Sequence, residues 1–412
     1  MFMKRFLKKV LLFSPLLLTG LSAGSAVTDF LSAADSDIDV KYRGIASLYE
    51  ENVPQQYDYI DKARVSVRHS HFSDIEREYA LRLYAKSPAD LENETKSYAL
   101  EKRLALSDEN IALLNIRRQR YEAVLELLYK YSVLQLLDDT MRFEKEALHN
   151  ARYFAQNESD ITAVYKKREA LRDTELEQTR LQMEYNTLLT EIAQTVSKEN
   201  EAVEKELNLL LFSPAYALID HISGNLDNNM SVAVDENPIV VKSFERVDLA
   251  RQKVKSEQDK NGIKLDYVGL KYDDSKKSKN AFAVDVAVEI PLSKDTRKIV
   301  SEKVKLFKNR QKAEENRKKI LQKISGLRHE LKDLISYFYV VDRQIQDTKP
   351  RKNNYYAFKL YESMKKRDLR LRKERLKVAW KTAQKYVAWL YWSNKLHETD
   401  FSKLLQRTQS GK

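Results

Sequence analysis

The sequence predicts a mostly helical protein with a small β part, built as a two-fold internal repeat of long coiled-coil helical hairpins plus four strands per chain. Three observations carry that prediction. Only 8 Gly and 7 Pro punctuate 412 residues, of which 33% are charged, and this leaves too few turns for a β-sandwich or propeller. Two short segments of alternating apolar and polar residues recur at a fixed spacing of 203 residues. Behind each recurrence a proline opens a long, charged, helix-periodic stretch. With 42% hydrophobic residues the chain is too apolar to be a disordered tail. Having no cysteine, it cannot use disulfides, thiolate zinc sites, a cysteine nucleophile or a lipid-modified N-terminal Cys.

The N-terminus reads as an address. Lys4, Arg5, Lys8 and Lys9 precede the apolar run Val10 to Leu18, and Ala23-Gly24-Ser25-Ala26 follows. A basic, then apolar, then small-residue order marks a secretory signal peptide, residues 1–26. The apolar core is shorter than the roughly 20 residues that a spanning helix needs. An exported chain meets no chromosomal DNA, so its net charge of +12 is not read as a nucleic-acid footprint. The charge is unevenly spread: +20 over residues 291–412, +4 over the first 26, and −12 over residues 27–290. An acidic half followed by a basic half of similar shape points to halves that are neighbours.

The duplication sets the domain plan. Tyr79 to Pro88 matches Phe282 to Pro291, and at the same offset Val65-Ser66-Val67-Arg68 falls on Val268-Gly269-Leu270-Lys271. The first repeat covers residues 27–223, with a strand pair near 60–87 and a helical hairpin at 89–211. A linker at 224–236 begins with the turn-forming stretch Gly224-Asn225-Leu226-Asp227-Asn228-Asn229. The second repeat covers 237–412, with a strand pair near 263–290, a hairpin at 292–397 and a C-terminal tail.

The strand segments have two unlike faces. Phe282, Val284, Val286, Val288 and Ile290 share one, and Ala283, Asp285, Ala287 and Glu289 the other. Tyr79, Leu81, Leu83 and Ala85 likewise oppose Arg82, Tyr84 and Lys86, while Ala63, Val65 and Val67 oppose Arg64, Ser66 and Arg68. The polar loops His69–Asp74 and Asp273–Lys279 would join each pair as a hairpin. This pattern fits a transmembrane barrel and equally fits a half-buried soluble sheet. Four strands cannot close a barrel, since about 8 are the minimum and lipid tolerates no open edge. In a membrane, several chains would have to share one barrel, and three would supply 12 strands.

Each proline opens a long helix, and a second helix returns, from Ile161 to Leu211 and from Tyr355 to about His397. Some 60 helical residues at about 1.5 Å each reach roughly 90–100 Å, more than a globular domain needs. From Pro88 to Gln156 is 68 residues and from Pro291 to Lys352 is 61. The difference is one heptad, which keeps the same helix face in the same seam.

On these residues the sequence resembles the TolC-like outer membrane efflux and secretion channel family (outer membrane efflux protein). The resemblance is carried by Glu236-Asn237-Pro238-Ile239 opening a helix, by Phe282–Pro291 with the basic helix behind it, and by the tip segment. That segment runs from Ala151-Arg152-Tyr153 through Ser159-Asp160-Ile161 into Arg168-Glu169-Ala170-Leu171. The ordered duplication covers most of the chain. The family has Gly at the tip turn where this chain has Gln156-Asn157 and Asn353-Asn354. The resemblance implies a homotrimer with one shared trimeric β-barrel in the outer membrane of a Gram-negative bacterium, extended into the periplasm by a helical tunnel. It also implies work with a periplasmic adaptor protein and an inner-membrane transporter, in contact with outer membrane lipid. Acidic and basic hairpins would alternate around such a tunnel.

No catalytic constellation, cofactor site or metal site is legible, and no phosphate-binding loop is present, so the chain is read as a non-enzyme. His69 and His71 read as loop residues, Asp138, Asp139 and Asp227 as solvated, and Trp380, Trp389 and Trp392 as packing. Arg64, Arg68, Arg82, Lys86, Asp285 and Glu289 would line a barrel lumen. Arg152, Tyr153, Asn157, Ser159, Asp160, Lys352, Asn353 and Tyr356 lie at the hairpin tips and, by the resemblance, would meet an adaptor. The expected function is an exit duct for efflux or type I-like secretion. The alternative is a soluble periplasmic coiled-coil adaptor or spacer without a pore.

Overall fold

The computed structural model describes residues 59–396 except 71–75, 156–157, 210–214, 228–233, 261, 275–280, 291–295 and 349–357, together with 29–34, 45 and 48–49. The signal peptide therefore lies outside the described residues. The elements run β1 (Ile60–Ser70), β2 (Glu76–Ala85), α1 (Pro88–Phe154), α2 (Glu158–Thr195), α3 (Asn200–Leu209) and α4 (Ala215–Asp227). They continue with α5 (Pro238–Asp259), β3 (Lys264–Asp274), β4 (Ala281–Glu289), α6 (Thr296–Asp347) and α7 (Phe358–Trp392). The strand pair, long helix and return helix thus occur twice in the same order. The two hairpins combine into one antiparallel sheet, β1-β2-β3-β4, with β2 against β3 joining the repeats.

The described residues divide into two compact units, one built from 34–125 with 215–396 and the other from 126–214 with 29–33. In the first, α6 packs along both α5 and α7. Their core is made by Leu331, Phe338, Tyr386, Val387 and Leu390, joined by Ile219 and Ile222 of α4. Apolar residues at three- and four-residue spacing (Ile320, Ile324, Leu331, Ile335, Phe338, Val341, Ile345) form the buried stripe of α6. Its remaining faces carry the charged residues, together with exposed apolar ones such as Val300 and Phe307. Trp389 is buried and stacks on Tyr386, and Lys323 lies 3.9 Å from the Trp392 ring.

Helix α5 starts as its sequence dictates. Asn237 is the N-cap: its side chain accepts from the Ile239 amide at 2.9 Å, and Pro238 occupies the first turn, where no N–H is needed. The Asn237 amide also donates to the Trp392 carbonyl at 2.9 Å, tying the start of α5 to the end of α7.

The second unit contains the end of α1 with α2 and α3. Leu128, Val133, Leu137, Tyr185, Leu189 and Ile192 form its core. Lys130 pairs with both Glu126 and Glu184, and Tyr131 lies against Tyr185.

Three element ends fall elsewhere than the sequence suggests. The return helix does not run unbroken to Leu211: it ends at Thr195, where Ser197 takes φ 53° and the Lys198 amide reaches back to the Ala193 carbonyl. This is a left-handed helix stop made without glycine. In the second repeat α7 ends at Trp392, a turn before the expected end at about His397, by the same device: Asn394 has φ 56° and the Lys395 amide donates to the Leu390 carbonyl. The linker 224–236 also begins later than expected. Gly224 to Asp227 form the last turn of α4, because Ile219, Ile222 and Leu226 bury one stripe and packing overrides the turn-forming residues.

Candidate functional site

The sheet is the place where sequence pattern and geometry converge. Its register sorts the side chains into two faces. One face has four rows that cross all four strands. They are Lys62–Tyr84–Tyr267–Ala287, Arg64–Arg82–Gly269–Asp285, Ser66–Ala80–Lys271–Ala283 and Arg68–Glu78–Asp273–Ala281. Irregularities between Ile60 and Lys62 and between Leu265 and Tyr267 end this regular block.

The other face is apolar and bare. Val65, Val67, Leu81, Leu270, Phe282, Val284, Val286 and Val288 all project from it and are all exposed, Phe282 by 80% and Val65 by 73%. A soluble sheet would bury such a face against a second layer. Among the described residues nothing covers it. The outer edges of β1 and β4 have no partner strand among the described residues.

The polar face is built around a missing side chain. Gly269 stands in register between Arg82 and Asp285, and a Cβ there would lie 3.2 Å from Arg82 Cγ and 3.2 Å from the Leu81 carbonyl oxygen. The gap lets Arg82 reach across strand β3 to Asp285, at 3.8 Å. Arg82 also lies 4.9 Å from the centre of the Tyr267 ring, and the Tyr267 hydroxyl donates to Asp285 at 2.8 Å. Lys271 holds the other two carboxylates, Asp273 at 3.3 Å and Glu78 at 3.5 Å. Lys62 sits 4.7 Å from the Tyr84 ring.

Of the expected lumen set, the register thus places Arg64, Arg68, Arg82 and Asp285 on one face. Glu289 joins them opposite Lys264. Lys86 lies beyond β2 and pairs with Glu94 of α1 at 2.8 Å. Sequence reasoning did not single out Tyr267, Gly269 or Lys271, although a glycine inside a strand pattern marks a close approach.

The strand-to-helix junction is a second polar centre. The Ser87 hydroxyl accepts from the Asp90 amide at 3.1 Å and donates to the Asp90 carboxylate at 2.7 Å, which caps α1. Lys264 reaches the same carboxylate at 2.8 Å. Partial burial opposes ionisation of Asp90, but the Lys264 ammonium and the Ser87 groups outweigh it and hold the carboxyl below its ordinary value.

At the first hairpin tip, Arg152 and Tyr153 lie in the last turn of α1, and Tyr153 is 78% exposed. Ser159 and Asp160 lie in the first turn of α2. Asn157, Lys352, Asn353 and Tyr356 fall outside the described residues. Among the described residues no group of His, Asp and Glu is placed to hold a metal ion, and no helix is long and apolar enough to cross a membrane.

The whole arrangement of duplicated hairpins and a four-stranded sheet is the fold of solved outer membrane channels. The chain is similar to the outer-membrane channel OprN, with a TM-score of 0.64, 10% identity and 90% of each chain covered. It is similar as well to CusC, described in terms of transmembrane channel formation, with a TM-score of 0.62 at 9% identity over 92% of this chain and 95% of that one. The open state of the Neisseria gonorrhoeae MtrE outer membrane channel matches with a TM-score of 0.60 at 11% identity, over 91% of this chain and 93% of that one. No family model and no curated protein matches the sequence.

Proposed function

We propose that this protein is an outer membrane exit duct for efflux, in which three copies pool their strands into one closed 12-stranded barrel. The observation that carries the reading is the sheet, with a bare apolar face, a charged opposite face and two edges unpaired among the described residues. Lipid would take up the apolar face, and neighbouring copies the edges. The long helices then serve as the periplasmic continuation of the barrel. The likeness to structures described as outer membrane channels supports this reading. Cleavage of residues 1–26 would deliver the chain to that membrane. The energy for transport would come from an inner-membrane pump reached through a periplasmic adaptor, with Arg152, Tyr153, Ser159 and Asp160 among the contacts offered at the tip.

The test is the native mass of the protein extracted by detergent from separated outer membranes. A particle of three 48.2 kDa chains, less their signal peptides, is the expected result. A monomer released from the periplasm without detergent would sink the duct and favour the soluble spacer.

A further inference from the structure

We infer that the barrel passes anions in preference to cations, with Arg64 and Arg68 as the residues that set the sign. The inference rests on the duct reading, since it needs the polar face to line a lumen. The four complete register rows carry five cations against three carboxylates. All three carboxylates are already engaged within the chain: Asp285 by Arg82 and the Tyr267 hydroxyl, and Glu78 and Asp273 by Lys271. Arg68 stands opposite Glu78 in register, yet that carboxylate turns to Lys271 on the other side. Arg64 stands opposite Arg82, a like charge. Both arginines are exposed and make no ion pair among the described residues.

Closure of the ring does not cancel these charges. The strand brought beside β1 by the next copy would be β4, since those are the two edges left free among the described residues. In the four rows β4 presents Ala281, Ala283 and Ala287 on this face, and Asp285, which Arg82 already holds. Alanines give the long β1 side chains room without neutralising them. Within these four rows, with Glu289 and Lys264 facing each other beyond them as one charge of each sign, a surplus of two positive charges per chain then repeats around the lumen as a ring, the device by which pores set ion preference. Cargo of matching chemistry would carry carboxylate, sulfonate or phosphate groups.

The experiment is the reversal potential of the purified full-length protein in planar bilayers under a KCl gradient, at low salt. The wild type should show a chloride-to-potassium permeability ratio above one. R64Q/R68Q should bring the ratio towards one, and R64E/R68E should take it below one, in particles of unchanged native mass. The preference should fade as salt rises from about 0.1 to 1 M, where the screening length shrinks from about 10 to 3 Å. A conducting trimer that prefers potassium, or whose ratio ignores R64E/R68E, overturns the anion inference and leaves the duct standing. A trimer that never conducts overturns both.

Discussion

At the scale of single residues, three positions carry more than their number suggests. Asn237 caps α5 and holds the end of α7 through one amide, while almost fully buried. Replacing it with alanine should cost about 1–2 kcal/mol, read as a lowered denaturation midpoint, because it removes a cap and leaves the Trp392 carbonyl without its donor. Gly269 was legible only as a glycine in a strand; what it makes room for was not, because the register that sets it between Arg82 and Asp285 is a long-range fact. G269V should force Arg82 aside and lower thermal stability in detergent by about 1–3 kcal/mol, whereas the same change at Gly224, where a Cβ meets nothing within 4 Å, should not clash. Asp90 gives a signed dependence on pH. Its carboxyl is held below the ordinary value near 3.8, so its contribution is present above that pH and is lost as acid carries the pH through the lower folded value. The stability difference between wild type and D90N should therefore be constant near neutrality and vanish in acid, and a difference that grew in acid would refute the assignment.

Among elements, the four strands were readable because alternation has a period of two and each bare face is a run of Val, Leu and Phe. The choice between a soluble sheet and a membrane wall was not readable, since both have the same alternation; the exposure of Val65, Phe282 and their neighbours is what supports the membrane wall proposed above. The ends of the return helices were missed for a different reason. A left-handed stop usually announces itself with glycine, and here Ser197 and Asn394 take that conformation. Serine is the costlier of the two, because its side chain is less suited to positive φ. S197G should raise stability by about 0.5–1 kcal/mol, measured by chemical denaturation. A loss of stability would mean that the Ser197 side chain contributes something beyond the turn. The turn residues expected at the hairpin tips remain as sequence expectations, Asn157 and Asn353 among them.

At the scale of the whole molecule, the duplication is the feature that made the fold legible: an offset of 203 residues aligns strand with strand, and the order strand pair, long helix, return helix repeats. What a single chain could not display is closure, because in the proposed barrel the partners of β1 and β4 belong to other copies. That has a genetic consequence. In a ring of three, each copy supplies one edge to each neighbour, so one defective β1 opens the whole wall. A cell making sound and defective copies in equal amounts would assemble only about one ring in eight from sound copies alone. A proline placed in β1 should therefore act as a dominant allele, silencing most of the product of an intact gene beside it, while a deletion of the same gene copy would be recessive.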